Sequence, residues 1–136
     1  MLLTISQIEK ITECSKLAFA NIEAIYIFGS TAEDNYTSIS DVDLAVYADE
    51  ALEILSLWDL KAKIANILNR EVDLVDLKAA NTVLQMQIIS KGKRVYCENP
   101  SKMEVFESLI FSMYAQLNED RAAILETISI DKKIYG

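Results

Sequence analysis

The sequence predicts a small α/β (α+β) domain, a short mixed sheet of about four strands flanked by helices. Three observations carry this. Four short apolar runs, 22–28, 41–47, 72–77 and 94–97, have strand character, and the second alternates with a two-residue period. Around them lie stretches whose apolar residues recur at helical spacing. At 136 residues, 51% of them hydrophobic, the chain supports one core. Residues 1–136 therefore read as a single domain.

Taken in order, Thr4 to Gln7 offers an N-cap with its capping-box Gln. Ile8, Ile11, Cys14 and Leu17, widened by Ala18, then give a helix face that ends near Ala20. The run Ile22 to Phe28 is a buried strand closed by Gly29-Ser30. Residues 31–40 are polar and lack glycine, so a helical turn is expected directly after Gly29-Ser30. Asp49 is expected to cap a helix over 50–69. Its stripe of Leu52, Leu55, Trp58, Ala62 and Ala65 is broadened by Ile54, Leu57, Ile64 and Leu68, with Trp58 in the core. After the strand at 72–77, Asn81-Thr82 caps a helix to about Ser90, which Gly92 is expected to end in a left-handed conformation. Residues 94–97 make an edge strand. Pro100, Ser101 as cap and Glu104 as capping-box acid then start a long final helix, about 101–130. Its apolar stripe runs from Met103 through Phe106, Ile110, Met113 and Leu117 to Ile124 and Ile128. That is more helix than a small sheet needs to cover, so its outer end is expected either to dock a partner or to pack along its own domain.

Chemistry concentrates between Gly29 and Leu44. Ten residues after Gly29-Ser30 stand Asp41 and Asp43, opening Asp-Val-Asp-Leu-Ala-Val-Tyr. Strand alternation puts Asp41, Asp43, Ala45 and Tyr47 on one face and Val42, Leu44 and Val46 on the other. Two like charges ~4 Å apart repel by roughly 4 kcal/mol at an effective dielectric near ~20. A divalent cation converts that cost into attraction, and hard carboxylate oxygens suit Mg²⁺, which fills its other positions with water and substrate phosphates. An Asp at a strand start also serves as an ordinary turn residue, so the pair alone is a weak signal. Asp73 strengthens it, lying inside the apolar run Val72 to Leu77 where a lone charge is costly. Asp76 falls on the opposite face and reads as a surface or capping residue. A helical turn after Gly29 would aim the Gly29, Ser30 and Thr31 amides at a phosphate.

Composition removes other chemistries. There is no histidine, which excludes Ser-His triads, HExxH metal sites and His-based proton transfer. Two cysteines, Cys14 and Cys97, lack metal-ligand spacing and read as free thiols of a reducing cytoplasm. A net charge of −8 disfavours direct binding of nucleic acid. Lys91, Lys93 and Arg94, the only dense basic cluster, read as flanking a strand. No apolar run approaches the roughly 18 residues of a membrane span, and no basic-then-apolar leader is visible. An acidic chain of this kind suits a basic protein partner.

Gly29-Ser30, ten residues, Asp41-x-Asp43 and a third strand acid at Asp73 resemble the signature of the DNA-polymerase-β-like nucleotidyltransferases. The run Arg70-Glu71-Val72-Asp73-Leu74-Val75-Asp76-Leu77 is similar to their minimal branch, the MNT antitoxins encoded beside HEPN ribonuclease toxins. That resemblance extends over 58–80, the strand 92–96 and a final helix carrying Tyr114 and Arg121. It implies a polymerase-β-like fold and transfer of AMP from ATP to a hydroxyl, a tyrosine of the cognate toxin. By the same resemblance Asp41, Asp43 and Asp73 are catalytic and bind two Mg²⁺ ions, while Gly29, Ser30 and Thr31 hold the nucleotide. Many such proteins carry Arg-Gly or Gln-Gly just after the turn. Here Ala32-Glu33-Asp34 follows Thr31, which implies a weaker hold on triphosphate or a greater demand for metal. Two other activities share the pattern: neutralising a toxin by binding alone, and nucleotidyl transfer to a small molecule. The second usually needs an added acceptor domain, for which 136 residues leave little room.

Overall fold

The computed structural model describes residues 3–32 and 41–135. Helix α1 (Ile5–Ala18) leads into strand β1 (Ile22–Phe28), a 3-10 turn (Gly29–Ala32) and strand β2 (Val42–Ala48). Helix α2 (Ile54–Leu68), strand β3 (Val72–Asp76), helix α3 (Thr82–Lys91), strand β4 (Lys93–Cys97) and helix α4 (Pro100–Tyr135) follow. The four strands stand in the order β3-β2-β1-β4, with β2/β3 parallel and the other two pairings antiparallel. The mixed sheet and the edge position of β4 agree with the sequence reading. The helical turn after Gly29 is present as the 3-10 turn, and the loop beyond Ala32 lies outside the described residues.

Helices cover both faces of the sheet, and the alternation in β2 divides its side chains between two cores. Val42, Leu44, Val46 and Ala48 join Ile25 and Ile27 with Ile11 of α1 and Leu60, Ile64 and Leu68 of α2. Ala45 and Tyr47 join Ala24 and Tyr26 with Leu77, Ile88 of α3 and Met103 of α4. The expected N-terminal capping box is formed: Gln7 N–H donates to Thr4 Oγ1 at 3.1 Å, and Thr4 N–H donates to Gln7 Oε1 at 2.9 Å. Within α1, however, Leu17 is 89% exposed while Ser15 is buried, its hydroxyl donating to the Ile11 carbonyl at 2.7 Å. Satisfied by its own helix, that hydroxyl costs little to bury.

Four other expectations are corrected. The second helix begins at Ile54 rather than near Glu50, behind Glu53, and Asp49 does not cap it. Asp49 instead accepts Lys102 Nζ through its carboxylate and Lys78 Nζ through its carbonyl. With Lys102 also 2.7 Å from Glu23, an ion-pair network ties the first turn of α4 to the sheet. The buried stripe of α2 is Leu60, Ile64 and Leu68, so Ile54, Leu55 and Trp58 (63% exposed) face away from the core. Several apolar stripes fit such an apolar helix, and only docking on the sheet selects one. Gly92 has φ −80°, ordinary for any residue. Glycine is needed there because a Cβ would overlap the Ile88 carbonyl oxygen and lie 2.6 Å from that of Ile27. Finally, Asn99 rather than Ser101 caps α4, accepting from Lys102 N–H at 3.3 Å, with Pro100 in the first helical turn where its missing N–H costs nothing.

Among its described side chains, helix α4 is packed only along its first half. Met103 and Ile110 are buried, Phe106 lies 4.6 Å from the Tyr47 ring, and Glu107 accepts from the Tyr26 hydroxyl at 2.7 Å. Arg94 of β4 approaches the same Glu107 oxygen at 3.6 Å. Every residue from Asn118 to Thr127 is exposed, including Ile124 and Leu125. Among the described residues no helix is long and apolar enough to cross a membrane. Truncation after Leu117 should therefore shift the thermal unfolding midpoint by less than about 2 °C, since exposed positions outside a core contribute little. Met103→Ala, at the same helix's buried end, should cost about 2–4 kcal/mol in urea unfolding.

Candidate active site

The site is built where β1 ends and β2 begins. Antiparallel pairing sets Phe28 opposite Asp43, and parallel pairing sets Asp43 beside Asp73. Direct neighbours across a ladder share a face. Phe28, Asp43 and Asp73 therefore share the face that α3 and α4 cover farther along the strands. Asp43 is half-buried and Asp73 exposed at the edge strand. Asp41 precedes the strand instead of lying within it, and is exposed; the following Val42 N–H donates to the Glu71 carbonyl at 2.9 Å.

Gly29 closes the site from the other side. Its φ of +59° is left-handed, and a Cβ there would overlap Asp43 Oδ2 and lie 3.3 Å from Asp43 Cγ. Both facts demand glycine: the backbone is turned as L-residues rarely turn, and it presses directly on the carboxylate. The 3-10 turn then carries Ser30 and Thr31, whose backbone the structure places beside Asp43's strand; their side chains lie outside the described residues.

Electrostatics mark Asp43 as the centre. Its carboxyl is pushed above the ordinary 3.8, first by burial, then by the charge of Asp73 and then by that of Asp41. All three sequence-predicted acids thus act on one position. Among the described residues no three carboxylates or thiols converge closely enough to cage an ion unaided. The donor set nevertheless suits a hard cation that takes one or two protein carboxylates and completes its shell from water and substrate oxygens. The desolvated, mutually repelling charge at Asp43 is what such an ion would relieve.

Two cavities distinguish the ends of the sheet. One of about 680 Å³ lies at the far end, lined by Glu23, Asp49, Glu50 and Glu98 with Lys16, and its balance of charge repels a polyphosphate. The other, about 290 Å³, adjoins the site and is lined by Phe28, Gly29, Gln87 and Lys91. Gln87 and Lys91 were not among the sequence-predicted site residues. Lys91 was visible only as part of a basic cluster, and its nearness to Gly29 is a product of the fold.

A family model described as polymerase beta, nucleotidyltransferase, matches residues 8–101. The chain belongs to this nucleotidyltransferase family. It is 36% identical over 107 residues to the protein adenylyltransferase MntA of Shewanella oneidensis, covering 79% of this chain and 76% of that one. A toxin–antitoxin crystal structure with AMP-PNP superposes with a TM-score of 0.80 at 34% identity, covering 89% of this chain and 97% of that one. The MNT antitoxin in complex with tri-AMPylated Shewanella oneidensis HEPN toxin gives 0.75 at 32% identity, over 90% and 96% of the two chains.

Asp43→Asn should raise the thermal midpoint in EDTA at pH 7, by about 2 °C for a destabilisation of well under 1 kcal/mol relieved. The sign follows from the raised pKa. Between 3.8 and the higher folded value the native state holds more proton than the unfolded chain, so stability falls as pH rises through that window. The wild-type midpoint should accordingly fall more steeply above pH 4 than that of Asp43→Asn. Gly29→Ala should lower stability by about 1–3 kcal/mol, measured by urea unfolding, from left-handed strain and overlap with Asp43.

Proposed function

We propose that this protein is an antitoxin that transfers AMP from ATP to a hydroxyl, a tyrosine, of a cognate HEPN ribonuclease toxin. The observation that carries the reading is the register of Asp43 with Asp73 against the bare Cα of Gly29. The likeness to MntA and to toxin complexes with AMP-PNP or AMPylated toxin supports the donor, the reaction and the partner. Asp41, Asp43 and Asp73 would hold the Mg²⁺, two ions on this reading. Bound there, the metal supplies charge neutralisation of the attacking and leaving oxygens. A reducing cytoplasm, where ATP and a ribonuclease toxin meet, is the compartment this reading implies.

The chain's own groups have separable tasks. The 3-10 turn presents Gly29, Ser30 and Thr31 to the nucleotide's phosphates, and Asp43 would hold the metal at the α-phosphate end. The acceptor oxygen forms a bond to the α-phosphorus, while the bond from that phosphorus to its bridging oxygen breaks and pyrophosphate leaves with the electron pair. Asp73, exposed on the edge strand, would be accessible to a protein hydroxyl. It orients that hydroxyl and takes up its proton. The exposed outer half of α4, which carries Ile124 and Leu125, is the surface on which the toxin would dock.

Asp73→Asn should still bind ATP and the toxin yet transfer AMP at least ~10²-fold more slowly, since positioned general-base action is typically worth ~10²–10⁴. Intact mass of the toxin after incubation with ATP and Mg²⁺ is the measurement, alongside rescue of toxicity in cells. A variant that neutralises the toxin as well as wild type would show occlusion to be the mechanism. Labelling of a small hydroxylated molecule with no labelling of toxin would point to the third activity.

A further inference from the structure

The cavity beside Gly29 holds a cation that the proposed chemistry has not used. Lys91 stands in the last turn of α3, exposed, and lines this space of about 290 Å³ with Gln87, Phe28 and Gly29. Among the described residues no ion pair engages it, whereas Lys16, Lys63, Arg94 and Lys102 all have carboxylate partners. Its position is held firmly by backbone packing. Gly92, the next residue, lies so close to Ile27 and Phe28 that a Cβ would collide with the Ile27 carbonyl oxygen and reach 3.3 Å from Phe28 Cβ. The end of α3 is thereby pressed against the end of β1, one residue before the left-handed Gly29.

Face and charge give the reason for a cation here. Phe28 is paired with Asp43, so α3 approaches the sheet on the same face from which Asp43 and Asp73 project. The nearby acids, Asp41, Asp43 and Asp73, would repel a nucleoside triphosphate, which carries about four negative charges, and the whole chain adds a net charge of −8. An ammonium is a compact donor suited to phosphate oxygens, and a carboxamide beside it donates a further hydrogen bond. Among the described lining residues, Lys91 is the one that carries charge.

We infer that Lys91, assisted by Gln87, binds the β- and γ-phosphates of the nucleotide and receives the pyrophosphate as it leaves. This deepens the nucleotidyltransferase reading and rests on it. Lys91 stabilises negative charge on the side of the phosphate chain away from the acceptor, so removing it should separate nucleotides by phosphate number. The comparison is calorimetric titration of full-length wild type, Lys91→Gln and Lys91→Arg with ATP, AMP and pyrophosphate in Mg²⁺, after thermal melts establish that all fold. Lys91→Gln should weaken ATP and pyrophosphate about tenfold, the order expected for a hydrogen bond to a charged group, and leave AMP unchanged. Lys91→Arg should recover most of the affinity, and KM for ATP should rise more than kcat falls in toxin labelling. Unchanged ATP affinity in Lys91→Gln overturns the assignment, and so does an equal loss for ATP and AMP. A wild type that binds ATP but labels no toxin overturns the adenylyltransferase reading while the ATP-to-AMP comparison still decides the role of Lys91. A wild type that binds no ATP overturns both.

Discussion

Much of the molecule is arranged so that two like charges can be held side by side. Parallel pairing of β2 with β3 puts Asp43 directly beside Asp73, and the left-handed Gly29 leaves no space on Asp43's other flank. The carboxyl responds by rising above its ordinary range, from burial first and from its acidic neighbours second. Such a site is expensive in the empty protein, and the surrounding packing has to hold it. That packing comes from fully buried β2 residues on both faces, Val42, Leu44 and Val46 on one and Ala45 on the other. A rigid strand keeps the acids from drifting apart, which is the condition for electrostatic preorganisation.

The two faces of the sheet divide the remaining labour. Helices α1 and α2 complete a mainly apolar core in which the one buried polar side chain of α1, Ser15, is satisfied by its own helix. On the other face α3 and α4 cover the strands but leave the Asp43 end open. The end of α3 brings Gln87 and Lys91 to the Gly29 turn. The start of α4 is pinned by Lys102 to Asp49 and Glu23, and by Glu107 to Tyr26 and Arg94. The Tyr26 hydroxyl, buried and donating to Glu107, has its pKa raised and remains a donor across the physiological range. Fixed at this end, the helix projects an outer half whose described side chains, Asn118 to Thr127, are exposed. A long lever rigidly joined to the catalytic sheet would set a docked protein at a defined place relative to Asp73.

Local rules were legible in the sequence because their causes are local. The Thr4–Gln7 capping box, the β2 alternation, the turn after Gly29 and the strand around Asp73 each follow from a few adjacent residues, and all are present. Spacing likewise singled out Gly29, Asp41, Asp43 and Asp73, since an acid pair at a strand start and a lone acid within an apolar run are unusual without a partner. Tertiary structure decided what local rules leave degenerate. Helix α2 offers several apolar stripes, and only docking on the sheet chose Leu60, Ile64 and Leu68 over Trp58. Asp49 had the residue type of a cap, but Lys102, far along the chain, claimed it. Gly92 looked like a left-handed terminator and proved instead to be a point of close backbone approach, which no single-sequence pattern encodes. By itself the sequence determined the face of β2 on which Asp43 lies and the turn at Gly29, because strand periodicity and turn formation are short-range. That Asp73 pairs with Asp43, and that Lys91 closes on Gly29, were decided only by strand order and helix packing, where residues distant in sequence compete for the same space.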